Sequence, residues 1–189
     1  MAIHLLKSKL KIIILVCGAC AGIHLVNSLL GSPLNVFGIY PRNPASLPFI
    51  FTAPWIHGGW FHLISNLPGL AILSALCLVR GVPFYLKSSF LIIVITGLLV
   101  WLVARPAYHI GASGWIFGLW SLSLALAYFE RSLLNIAIAI FVAIFYGGMI
   151  FGVLPSSPHI SWEGHAAGAI AGIVTAYIMT RKKSGPTTE

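Results

Sequence analysis

The sequence contains no aspartate and only three glutamates, and charged residues of both signs make up 7% of its 189 positions. A soluble domain carries about 25% charge, so a water-facing surface is excluded. Disorder is excluded as well, because hydrophobic residues reach 59% and aromatic ones 12%. Cysteine is scarce. Cys17, Cys20 and Cys77 lie inside apolar runs and read as small packing residues, not as a disulfide framework. Without aspartate, no ordinary Ser-His-Asp triad can be assembled. Period-two alternation is missing too, which argues against a transmembrane β-barrel. What is present is a series of continuous apolar runs close to the ~20 residues that cross a bilayer.

Six such runs are read as membrane-spanning helices: 12–30, 62–79, 86–104, 113–129, 133–152 and 164–180. The expectation is a single all-α polytopic membrane domain over 1–189. The first run follows Lys7, Lys9 and Lys11. It is read as a retained span, since nineteen uncharged residues exceed a signal-peptide core and no convincing cleavage site follows. Residues 31–61 form a long, proline-rich and aromatic connection, expected on the outer side and partly embedded in the membrane. The net charge of +8 does not point to nucleic acid, because the charges sit at the ends of the apolar runs. With the N-terminus in the cytosol, the inner side holds Lys7, Lys9, Lys11, Arg80, Lys87, Arg131, Arg181, Lys182 and Lys183. The outer side holds Arg42 and Arg105. Both termini are therefore expected inside. The Arg181-Lys182-Lys183 run reads as a stop-transfer anchor and lipid contact.

Polar groups within spans are expensive and ask for a reason. The candidates are His24, His62, Asn66, Ser113 and His165. The inner charge ending each helix serves as a ruler, at about 1.5 Å per residue. Asn66 and His62 then lie roughly 21 and 27 Å above Arg80, Ser113 roughly 25 Å above Glu130, and His165 roughly 24 Å above Arg181. Three helices thus deliver polar groups to one layer beneath the outer surface. Ser113 is a nucleophile if a base takes its proton, and His165 is a natural base. His62 and Asn66 share a helix face at i, i+4. With the Ser113 backbone N–H they could hold an oxyanion. Glu163 is expected to face away, leaving a Ser-His dyad. Gly111 and Gly114 remove bulk around the serine. Gly164, Gly168 and Gly172 make a smooth face that permits close helix approach.

At these residues the sequence resembles the rhomboid family of intramembrane serine proteases. The stretches that carry the resemblance are His57-Gly-Gly-Trp-Phe-His62-Leu-Ile-Ser-Asn66, Gly111-Ala-Ser113-Gly114 and Gly164-His165-Ala-Ala-Gly168-Ala-Ile-Ala-Gly172. The resemblance implies the six-helix bacterial form, with the 31–61 segment as its outer first loop. It implies Ser113 as nucleophile, His165 as base, His62 and Asn66 as oxyanion-hole residues, and the loop at about 153–162 as part of a substrate gate. It also implies transmembrane protein segments as substrates and the bacterial inner membrane as location, with the site opening outward and no metal or organic cofactor. Two departures stand out. Phe117 occupies a position that is often tyrosine, where it can stack on His165 without a hydroxyl. Pro41-Arg42 replaces the Trp-Arg pair common in the first loop.

For His57, a bond that fixes a loop is at least as good a reading as a direct role. Cys17, Cys20 and His24 share a helix face and could in principle ligate a metal, but a fourth ligand is not evident and packing is the expectation. A non-catalytic rhomboid-like adaptor that binds client helices is the alternative function. A transporter or channel is disfavoured, since the spans lack embedded charges and inverted repeats.

Overall fold

The computed structural model describes residues 2–155 and 160–181. Lys182 and Lys183 of the basic run, and residues 156–159 of the expected gate loop, lie outside the described residues. Six α-helices follow in order: α1 (Ala2–Leu29), α2 (Trp60–Leu78), α3 (Val82–Val103), α4 (Ser113–Glu130), α5 (Leu133–Tyr146) and α6 (Trp162–Arg181). α1 starts well ahead of the first apolar run. Lysines are good helix formers, so Lys7, Lys9 and Lys11 extend the helix past the apolar run. Four stretches are long and apolar enough to cross a bilayer: Leu5–Leu29, Trp60–Leu78, Val82–Val103 and Leu133–Val153. The chain is an integral membrane protein.

α4 and α6 are not among those four stretches, and packing explains why. α4 runs through the middle of the bundle and is buried at every residue from Gly114 to Ser123. Its neighbours are other helices, so it can hold serine where a lipid-facing helix would hold leucine. Ser121 donates to Ala169 O at 2.7 Å and Ser123 to Leu119 O at 2.8 Å, which satisfies both hydroxyls. α6 lies against α4 along its glycines. A Cβ on Gly168 would run into the Gly114 carbonyl, and one on Gly172 into the Gly118 carbonyl and Ser121 Oγ. This is the small-residue contact that lets two backbones meet. α5 is the opposite case. It buries only Asn135 and Val142, while Ile136, Ile140, Ile144 and Phe145 are exposed and fit a lipid-facing surface.

At one end of the bundle Arg80, after α2, forks onto Glu130 at the end of α4, with N···O distances of 2.6 and 2.8 Å. Asn135 of α5 donates to the same carboxylate at 2.9 Å and accepts from Arg80 at 3.1 Å. Two of the charges that served as rulers therefore stand side by side, and heights counted up α2 and α4 share one origin.

The 31–61 connection is folded into short 3-10 turns at Pro33–Phe37, Pro44–Ile50 and Ala53–Trp55, each with proline in its first turn. Proline's fixed φ suits that position and its missing N–H leaves no unmet donor there. The connection is tied to the far end of α3. Arg42, at φ 62°, donates to Ala104 O at 2.8 Å, and Trp101 Nε1 donates to Asn43 O at 2.9 Å. The Pro41-Arg42 variant thus still anchors the loop.

Candidate active site

Ser113 opens α4, and the chain reaches it through a turn that only glycine accommodates. Gly111 sits at φ +116°, a conformation costly for any residue with a Cβ. The turn is pinned from the loop side. Gly111 N–H donates to Ala53 O at 2.9 Å, and Ala112 N–H donates to His57 Nε2 at 3.4 Å. Ala112 supplies no side-chain cap to α4. The first-turn N–H groups beside Ser113 therefore keep their donor capacity, at the positive end of the helix dipole.

His62 and Asn66, from the start of α2, converge on this turn. A Cβ on Gly111 would lie 2.5 Å from His62 Nε2 and 3.6 Å from Asn66 Nδ2. Asn66 is 7% exposed, and its Nδ2 is buried with no hydrogen-bond partner among the described residues. Leaving such a donor unmet costs about 1–3 kcal/mol, a strain that a transient anion beside Gly111 would relieve.

His165 comes from the first turn of α6. Its Nδ1 lies 2.9 Å from Gly152 O. A carbonyl only accepts, so Nδ1 carries the proton and Nε2 is left as the basic nitrogen. The ring stacks on Phe117 at 4.2 Å between centroids and 8° between planes. Phe117 is four residues beyond Ser113, on the same face of α4. No hydrogen bond joins Ser113 Oγ to His165 in this structure. Such contacts often tighten only once substrate is bound. Glu163 is turned away from His165 toward Arg105, at 3.5 Å. A cavity of about 40 Å³ borders Ser113, Gly111 and Gly164, roomy enough for water.

His57 is 1% exposed and holds the turn before Ser113 through Ala112. Its own carbonyl accepts from His24 Nδ1 at 3.0 Å, and the His24 ring packs on Trp60 at 4.7 Å. His24 is thereby committed to a contact between α1 and the loop. Among the described residues no group of three or more His, Cys, Asp or Glu could hold a metal. Burial, reinforced by the nearby His62, pushes the His57 pKa down from 6.5 to about 4. A histidine kept neutral in the fold loses ground when the unfolded chain protonates. Stability should therefore fall by about 3 kcal/mol as pH drops from 6.5 to 4. Thermal unfolding in detergent across that window tests this, and His57→Gln, which keeps an acceptor for Ala112, should flatten the dependence.

The structure adds residues that composition and motif left out. Gly152 supplies the carbonyl that orients His165, and a Cβ there would press on Phe117 at 2.6 Å. His109 and Ser161 lie against each other beside the cavity.

The family profile described as Rhomboid domain matches residues 45–182. An uncharacterized protein of Mycobacterium tuberculosis is 35% identical over 167 residues, covering 84% of this chain and 70% of the relative. An uncharacterized protein of Mycobacterium leprae is 32% identical over 167 residues, with 84% and 66% covered. Rhomboid-like protein 11, chloroplastic, of Arabidopsis thaliana is 31% identical over 160 residues, with 76% and 56% covered.

Proposed function

The chain belongs to the rhomboid family, and on that premise we propose that it is an intramembrane serine endopeptidase working through a Ser113–His165 dyad. The observation that carries this reading is the orientation of His165. Its Nδ1 is committed to Gly152 O, and its ring lies on the face of α4 that Ser113 begins. An adaptor that only binds client helices has no use for a basic nitrogen left open there.

In this mechanism Ser113 Oγ attacks the scissile carbonyl carbon while His165 Nε2 takes its proton. The carbonyl oxygen becomes an oxyanion held by the Ser113 N–H, Asn66 Nδ2 and a ring N–H of His62. His165 returns the proton to the leaving amine. Water, activated by His165, then releases the acyl group from Ser113. Gly111, Gly114 and Gly168 give the backbone proximity this requires, and His57 holds the turn. The substrates are transmembrane segments of other proteins. Their carbonyls are locked in helical hydrogen bonds, so each must unwind locally before attack. The protein works in a bacterial inner membrane with both termini cytosolic and the site open to the outer side. The 31–61 loop rests partly in the membrane, and the 153–162 loop forms part of the substrate gate.

The test is cleavage of a labelled transmembrane substrate in proteoliposomes by wild type, Ser113→Ala and His165→Ala, with fluorophosphonate labelling mapped to Ser113. Equal cleavage by all three would remove the dyad. Absence of cleavage by wild type would favour the adaptor. Asn66→Ala should lower kcat by about 10²–10³-fold. Since Nδ2 has no partner to lose among the described residues and its unmet burial goes with it, the unfolding temperature should not fall.

A further inference from the structure

The segment leading into α4 and the segment leading into α6 meet in a second serine–histidine pair. His109 Nε2 lies 3.0 Å from Arg105 O, so that nitrogen carries the ring proton and Nδ1 is a lone pair. Ser161 Oγ lies 2.6 Å from His109 Nδ1, so the hydroxyl donates to the ring. The same oxygen accepts Gly164 N–H at 3.2 Å, as a helix cap does. The Ser161 carbonyl accepts His165 N–H at 3.2 Å. His109 is itself held fast. It is 5% exposed, and its backbone exchanges two hydrogen bonds with Ile39, at 2.8 and 3.0 Å. Four residues after His109 the chain reaches Ser113.

We propose that the His109–Ser161 hydrogen bond is a positioning device, which fixes the height and rotation of the α6 N-terminus against the Ser113 end of α4. The proposal rests on reading Ser113 and His165 as nucleophile and base. Neither His109 nor Ser161 need touch substrate, since they act through the first turn of α6. The need for such a device follows from the helix contact itself. Glycine against carbonyl brings α4 and α6 close, but the hydrogen bond across that seam, from Ser121 Oγ to Ala169 O at 2.7 Å, lies about two turns beyond Ser113, and at the Ser113 end the Phe117–His165 stack is a face contact without a directional bond. The bond supplies a directional stop at the end where the dyad stands. Arg105 runs a second strap alongside, donating to Ile160 O at 2.6 Å and pairing with Glu163 at 3.5 Å. Arg105 and Glu163 are also the charges that face His109. Burial keeps the ring neutral, its pKa below the usual histidine range, as an acceptor at Nδ1 requires.

Two measurements on the full chain test the proposal. The first is the kcat and KM of Ser161→Ala and His109→Leu, each beside a conservative partner, Ser161→Thr and His109→Asn. The expected result is a kcat lower by about tenfold to a hundredfold with KM within about twofold, and recovery of most of the rate by Thr and Asn, whose oxygens restore the bond. Unchanged kcat in Ser161→Ala with an active wild type overturns it. So does a loss that the conservative variants fail to recover. The second is hydrogen exchange at the Gly164 and His165 amides in His109→Leu, a residue that bonds neither amide. Exchange should rise about tenfold, and unchanged protection overturns the proposal. This second measurement does not depend on proteolysis. If wild type cleaves nothing, the enzymatic reading fails while the exchange result still decides whether His109 holds α6.

Discussion

On the proposed dyad, replacing Ser113 with alanine is expected to lower cleavage of a transmembrane substrate by at least about a thousandfold and to leave the fold intact. The size follows from the role. When nucleophile and base act as one unit, removing either forfeits nearly the whole covalent route, and only binding and oxyanion stabilisation remain. The intact fold follows from the surroundings. Ser113 is half-buried, and among the described residues its hydroxyl makes no hydrogen bond that alanine would break. His165→Ala should give the same loss of rate with a modest fall in unfolding temperature, because the Phe117 stack and the Gly152 bond go with the ring. The double variant is no slower than either single one, since the two groups belong to one step. Initial rates in proteoliposomes and a melting curve for each variant check all three statements. A Ser113→Ala protein that keeps a tenth of the wild-type rate would sink the dyad.

Gly168→Ala should destabilise the protein by about 1–3 kcal/mol, the usual range for forcing atoms into a filled contact, and should cut the rate further than the lost stability explains. The added methyl would meet the Gly114 carbonyl, which belongs to the residue after Ser113, the proposed nucleophile. Carbonyl and helix axis must part, and a shift of about 1 Å between reacting groups can cost 10²-fold. Gly22→Ala is the matched control, since a Cβ there meets nothing within 4 Å. It should leave the rate unchanged and the unfolding temperature level or higher, since alanine is the better helix former. Equal behaviour of the two variants would mean that α4 and α6 do not depend on the glycine seam.

The helices were legible because their signal is long and redundant. Each apolar run tolerates several exceptions without losing its meaning, and charges mark its ends. The convergence of His62 and Asn66 on the turn before Ser113 was legible for a related reason. Helical rise is constant, and Arg80 and Glu130, from which the heights of His62, Asn66 and Ser113 were counted, turn out to be paired. Hydropathy alone understates α4 and α6, since a helix packed among helices has no need to be oily. The ordered turns of 31–61 escaped because each opens on local proline geometry, and the stretch at Arg42 and Asn43 is held by bonds to the end of α3 about 60 residues away. Gly152, Ser161 and His109 escaped for a deeper reason. The first contributes a backbone carbonyl, which every residue type owns. The other two matter only through a partner about 50 positions distant. Nothing in residue type or spacing marks such pairs.

The carbonyl behind His165 has one more consequence. A triad backs its imidazole with a carboxylate, whose full negative charge steadies the cation formed midway through the reaction. Gly152 offers only a dipole, so in the proposed dyad an imidazolium at His165 would be less well steadied and slow turnover is expected. In exchange, no permanent anion has to be maintained beneath the lipid. The backing group also cannot be protonated, so acid has no way to flip the ring from behind.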